Sequence, residues 1–166
     1  MKQLLIALGG LSFVFLISCG GGGETASQSP AATAQEAEPP KADPKGIGEV
    51  KEVNLTDPLE ESMITTGKAI YEMKCSACHK LTDQRVVGPG WAGVTNKRRP
   101  EWIMNMITNV DVMLAEDPQA QKLLEECLTR MPNQGVSIGD ARALLEFMRK
   151  NDVETVGEKD QAANQI

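Results

Sequence analysis

Residues 75–79 read Cys75-Ser76-Ala77-Cys78-His79, and nowhere else in the chain do reactive side chains converge at a spacing that fits known cofactor chemistry. Each of two thiols three residues apart can add across one vinyl group of a haem to form a thioether, and the imidazole of the next residue then lies under the iron. The chain must therefore fold around a large apolar ring at this point. Composition agrees: three Phe, two Trp and one Tyr are few for a core, and a covalent haem c would supply the missing apolar bulk. Without it the domain is expected to fold poorly.

A Cys-x-x-Cys pair has two other chemistries. Structural zinc takes four Cys or His ligands, and this chain has four cysteines and one histidine. With Cys19 accounted for below, only the distant Cys127 is left to complete such a site. A thioredoxin-like redox pair needs a βαβ surround, and the sequence around residue 75 has no such pattern.

The amino terminus points to export. Lys2 provides a short positive region, Leu4 to Ile17 an apolar stretch interrupted by Gly9 and Gly10, and Leu16-Ile17-Ser18-Cys19 closes it. The stretch is short of the roughly 20 residues that a membrane span needs. Leu-Ile-Ser-Cys resembles the lipobox of bacterial lipoproteins, in which cleavage leaves the cysteine as an acylated new amino terminus. That resemblance implies a signal peptide over 1–18 and lipid on Cys19, the alternative being an ordinary signal peptide cut near Ser18. Either way the mature chain is exported, and haem c is attached outside the bacterial cytoplasm.

From Gly20 to about Pro58 the chain is rich in Gly, Ala, Thr, Gln, Glu and Pro and lacks aromatic residues. Such a composition does not bury enough apolar surface to offset the entropy of ordering it. Residues 19–58 are therefore expected to be a lipidated, disordered tether, 59–152 the folded domain and 153–166 a flexible tail. The net charge of −6 belongs mainly to the flanks: 59–152 carries 13 acidic and 12 basic residues, 20–58 carries 7 and 3, and 153–166 carries 3 and 1. The densest basic cluster, Lys97-Arg98-Arg99, is too small for a nucleic-acid surface and reads as a solvated loop.

The domain reads as short helices. Ile70 and Met73, one turn apart, lead into Cys75. Val86-Val87-Gly88-Pro89-Gly90-Trp91 is irregular by its Gly and Pro content. Pro100 suits the first turn of a helix whose apolar face is Trp102, Ile103, Met106 and Ile107. Asp117-Pro118 is an N-cap followed by Pro at N1, with Leu123, Leu124, Cys127 and Leu128 at helical spacing, which makes Cys127 a buried apolar residue; exposed, it would invite an intermolecular disulfide. Ser137 and Asp140 form a capping pair ahead of Leu144, Leu145, Phe147 and Met148. Sustained alternation is absent throughout, so the domain is all-α.

Because His79 is the only histidine, a second imidazole from this chain cannot reach the sixth position of the iron. Methionine is the natural donor. Met1 is lost on cleavage, Met63 precedes the motif, and Met73, Met104, Met106 and Met148 fall in helices where apolar packing is their expected role. Met131 and Met113 remain. Pro132 restricts Met131 to extended backbone, which holds its thioether clear of a helix, whereas Met113 is flanked by Val112 and Leu114. Met131 is the expected ligand, Met113 the alternative, and an open sixth site the third case.

With these residues in place, the segment from about Gly67 to Lys150 resembles class I cytochrome c, the small mono-haem electron carriers. Cys75, Cys78 and His79 match the attachment motif, Gly67 and Tyr71 the family's helix-crossing glycine and aromatic, Gly88-Pro89 the segment beneath the haem, Met131-Pro132 the distal motif, and Leu144 with Phe147 the terminal helix. The resemblance implies a fold of about 4–5 short helices around one covalent haem c, with His79 and Met131 as axial ligands. It also implies that the Pro89 carbonyl accepts a hydrogen bond from His79, fixing its tautomer. The lipobox, the tether and Cys127 depart from the pattern. Met/His ligation saturates the iron and raises its potential. The expected function is then a lipid-tethered carrier, not an enzyme. It would pass single electrons from a quinol-oxidising complex to a terminal oxidase or a periplasmic, denitrification-type reductase, with no nucleic-acid partner and no small-molecule substrate. The alternative is a haem enzyme or gas sensor with an open sixth site.

Overall fold

A computed structural model describes residues 42–157. The expected signal peptide, Cys19 and the first part of the tether lie outside the described residues, as do 158–166. Six helices and no strand occur among the described residues: α1 Glu61–Lys74, α2 Val94–Lys97, α3 Pro100–Thr108, α4 Val110–Glu116, α5 Pro118–Cys127 and α6 Ile138–Val156.

The local signals act as their chemistry requires. Pro100 and Pro118 stand in the first turns of α3 and α5, where a missing N–H costs nothing. Asp117 caps α5, its Oδ1 accepting from the Ala120 N–H at 2.8 Å and from Trp102 Nε1 at 3.2 Å. Ser137 Oγ accepts from the Asp140 N–H at 3.1 Å and starts α6. Lys74 in the last turn of α1 suits the negative end of that helix.

The frame is the crossing of α1 and α6. Ile64, Gly67, Ile70 and Tyr71 form the buried face of α1. A Cβ at Gly67 would lie 2.1 Å from the Ala143 carbonyl oxygen and 2.9 Å from Phe147 Cβ, so only glycine allows the backbones to approach this closely. Tyr71 then stacks obliquely on Phe147 and Trp91, with ring centroids 5.5 and 4.9 Å apart. From the far end of α6, buried Asp152 accepts from the N–H groups of Gly93 and Thr95, both at 2.8 Å, and from Thr95 Oγ1 at 2.7 Å. Asn151 Nδ2 donates to the Leu81 carbonyl at 2.9 Å. The terminal helix thus fixes the whole stretch that follows the haem motif.

The sequence boundaries need correction at both ends. Residues 42–58, assigned above to the tether, pack on the domain: Val50 and Val53 join its core, with Ile47 and Leu55 against it. Asn105, fully buried, accepts from the Val50 N–H at 3.1 Å and donates to the Val50 and Lys45 carbonyls at 2.9 and 3.0 Å. A side-chain amide there does what a neighbouring strand would do. Gly48 permits it, since a Cβ would sit 2.2 Å from Asn105 Oδ1. Further along, buried Glu146 accepts from Thr56 Oγ1 at 2.9 Å and from the Glu60 N–H at 3.1 Å, and pairs with Arg149 and Arg142. At the other end, α6 runs through 153–156 before Gly157 turns left-handed at φ 69°.

The helix count also exceeds the expected 4–5, because α2 is a single short turn and the chain breaks at Asn109, whose Nδ2 is engaged by the Ile47 carbonyl at 3.1 Å. Met113 lies inside α4. Met73, expected to pack, is 75% exposed, and Leu128, expected to continue the apolar face of α5, is 89% exposed. Leu128 leaves that face because α5 ends at Cys127 and Leu128 turns left-handed at φ 55°. Cys127 itself is half-buried rather than buried. Nor is the basic cluster simply solvated: Arg98 lies over the Trp102 ring and bonds Gln119, and Arg99 pairs with Glu101.

Candidate functional site

The end of α1 delivers the motif. Cys75 is the residue after the helix, its N–H bonded to the Tyr71 carbonyl at 2.9 Å, and the N–H groups of Cys78 and His79 both return to the Cys75 carbonyl, at 3.1 and 2.9 Å. That turn makes Cys75, Cys78 and His79 neighbours on one wall. The chain then doubles back: the Gly88 N–H donates to the Cys78 carbonyl at 2.9 Å and the Trp91 N–H to the Lys80 carbonyl at 2.8 Å. The returning loop lays Gly88 against the imidazole, where a Cβ would be 2.5 Å from His79 Cε1.

Three contacts orient His79. Its Nδ1 lies 2.9 Å from the Pro89 carbonyl oxygen; a carbonyl only accepts, so Nδ1 carries the proton and Nε2 keeps its lone pair. Tyr71 Oη donates to the His79 carbonyl at 2.8 Å, and the Trp91 ring lies 5.6 Å from the imidazole. Burial lowers the His79 pKa from its ordinary 6.5, with the Pro89 contact acting the other way. The neutral ring, the form that binds a metal, is thus favoured. Burial also pushes the Cys75 thiol up to about 11, opposed by Lys74 and helped by Cys78. No disulfide joins Cys75 to Cys78.

These residues line a cavity of about 470 Å³, open mouth included, with Trp91, Ile107, Val136 and Leu144 as apolar wall and Met131 and Pro132, from the irregular chain after α5, also lining it. Two thiols, one imidazole with a free lone pair and one thioether around an apolar space fit a covalent haem. The two methionine candidates part company here. Met131 lines the cavity. Met113 is fully buried in α4, away from that wall, and its sulfur accepts the Ile47 N–H at 3.1 Å.

Cys127 is also absent from the cavity wall, and no group of three His, Cys, Asp or Glu among the described residues could hold a metal ion. Cys19 lies outside the described residues. Lys74, Gln134 and Val136 also line the cavity, and sequence reasoning gave them no role. Their signal was adjacency: Lys74 precedes Cys75, and Gln134 and Val136 follow Met131 closely. No described helix is long and apolar enough to cross a membrane.

Comparison with known proteins agrees with this geometry. The family model described as cytochrome c matches residues 64–152. Cytochrome c from Rhodothermus marinus is 32% identical, with a TM-score of 0.65 over 68% of this chain and 100% of the other. An engineered form of that protein gives 32% identity and a TM-score of 0.62 over 66% and 98% of the two chains. The same engineered protein bound to a carbene intermediate gives 32% and 0.60 over the same shares. A search of curated proteins finds no significant match. Fold and site together define a covalent haem protein of the electron-transfer class. The chain belongs to the cytochrome c family, its cofactor is covalent haem c, and Cys75 and Cys78 are positioned as the cysteines of the attachment motif.

Proposed function

We propose that this protein is a membrane-tethered, single-electron carrier whose haem iron is held by His79 and Met131. The observation that carries the reading is that Met131 shares the cavity with His79 in a chain that has no second histidine. Bound haem supplies a reversible one-electron couple at iron. The residues supply the rest. Pro89 holds the His79 proton on Nδ1 and leaves Nε2 free for the iron, Trp91 lies against the ring, Tyr71 holds the His79 backbone carbonyl, and the Met131 thioether would be the second donor to the iron. Iron held by both donors would exchange electrons without offering a substrate a place to bind, which favours a carrier over an enzyme.

Cys19, following an apolar leader, supports a lipid anchor and an extracytoplasmic, periplasmic location. A quinol-oxidising complex as donor, with a terminal oxidase or a periplasmic denitrification-type reductase as acceptor, suits a carrier held at that surface. Met131→Ala in the haem-loaded protein is expected to abolish the low-spin Met-ligated spectrum and to admit carbon monoxide rapidly to the reduced form. A retained spectrum would overturn the ligand assignment, and rapid carbon monoxide binding by the unaltered protein would overturn the carrier reading. Cys19→Ser is expected to move the protein from the membrane fraction to the soluble one.

A further inference from the structure

We infer that Lys74 is a positioning residue that seats the Met131 loop against the haem cavity and so sets how readily Met131 gives way to an outside ligand. The inference rests on the ligand reading above. Lys74 is the last residue of α1 and abuts Cys75, so its backbone is as fixed as the attachment site. Its Nζ donates to the Gln134 carbonyl oxygen at 3.0 Å, across 60 residues of sequence. Both residues line the cavity together with Met131 and Pro132.

The chain between Gln134 and Met131 is short and stiff. Pro132 fixes one backbone torsion. Asn133 Oδ1 accepts from the Gly135 N–H at 2.9 Å, and Gly135 closes that turn at φ 60°. Val136 is buried and Ser137 caps α6. A hold on the Gln134 carbonyl is therefore transmitted to Met131 rather than absorbed by slack chain.

On the other side of Met131 the chain is held by a surface ion pair. Arg130 meets Asp111 at 3.0 Å, but their side chains are 53% and 61% exposed, and such pairs hold little. Leu128, just before, is exposed and in a left-handed conformation that few side chains favour. The Lys74 contact is also solvent-exposed, and it joins a charged donor to a backbone carbonyl. It ties the loop directly to the helix that carries the haem thiols. Opening of this loop is the step that an incoming ligand must await.

The test is imidazole titration of the ferric, haem-loaded protein. Lys74→Ala and Lys74→Gln are expected to bind imidazole about three- to tenfold more tightly, the change that one lost hydrogen bond produces, and to show a weaker far-red methionine-to-iron absorbance. Lys74→Arg, which keeps a donor, is expected to restore both; Lys74→Gln keeps the test alive if the alanine variant folds poorly. In a Met131→Ala background, Lys74→Ala is expected to add nothing, because the clasp works only through Met131. Wild-type imidazole affinity in Lys74→Ala, with Met131→Ala open, would overturn the clasp and leave Met131 as ligand. An equal gain from Lys74→Ala with and without Met131 would also overturn it, since a merely structural effect gives that pattern. Met131→Ala binding imidazole no better than the unaltered protein would instead remove the ligand reading itself.

Discussion

The two methionines that the sequence offers as ligands differ wholly in their surroundings. Met113 spends its sulfur on the Ile47 N–H and fills the space beside Gly46, where a Cβ would lie 2.8 Å from its methyl carbon. Met131, next to a proline and partly buried, is left on the cavity wall. His79 shows the same dependence on neighbours, since the Pro89 carbonyl and the absent side chain of Gly88 together decide where its ring points. Gly88→Ala is expected to push the imidazole off that position and to lower the stability of the haem-loaded protein by about 1–3 kcal/mol, the usual cost of overpacking a filled site. Urea unfolding checks this, and an unchanged midpoint would mean that the ring has room to yield.

At the scale of elements, α6 carries more of the fold than its apolar face suggests. Its Glu146 and Arg149 are 0% and 3% exposed as side chains, and together they gather Thr56, Glu60 and Arg142. Burial alone would raise the Glu146 carboxyl, but the contacts from Arg142, the Glu60 N–H and Thr56 outweigh it and hold the group below its ordinary 4.5. A carboxyl depressed in the folded state contributes stability above its unfolded value and loses it as the pH falls through the folded value. Stability should therefore hold from neutral pH down to about 4.5 and fall below it. Glu146→Gln is expected to cost about 3–5 kcal/mol at neutral pH, as when one partner is stripped from a buried pair. The gap should narrow below pH 4.5. Denaturant midpoints at several pH values check both statements, and a gap that stays constant into the acid limb would show that Glu146 ionisation does not matter.

For the molecule as a whole, the cavity is part of the core rather than a cleft beside it. Ile107, Val136 and Leu144 line it and also belong to the apolar cluster that holds α3 and α6 together. Haem seated there would complete that cluster, and without it these apolar side chains lose packing partners on one side. The Cys75→Ser, Cys78→Ser double variant, which cannot anchor haem, is expected to lose cooperative thermal unfolding and much of its helical circular dichroism. A sharp transition near that of the haem-loaded protein would show that the polypeptide packs by itself. The haem motif, the caps at Asp117 and Ser137, the all-α class and the Gly67 crossing were legible in the sequence, because each rests on residue chemistry acting over a few positions or, for Gly67, on family resemblance. The packing of 42–58 was not, because Val50 and Val53 sit in a polar, glycine-containing run whose average composition hides them, and Asn105, the partner of Val50, lies 55 residues away. Lys74 and Gln134 were silent for the same reason. Their meaning comes from a contact between distant segments, and such contacts exist only once α1 and α6 have crossed. What the sequence determined alone was the chemistry to be held, two thiols and a single imidazole. Tertiary structure decided which methionine shares their cavity, because that depends on where the chain after α5 comes to rest.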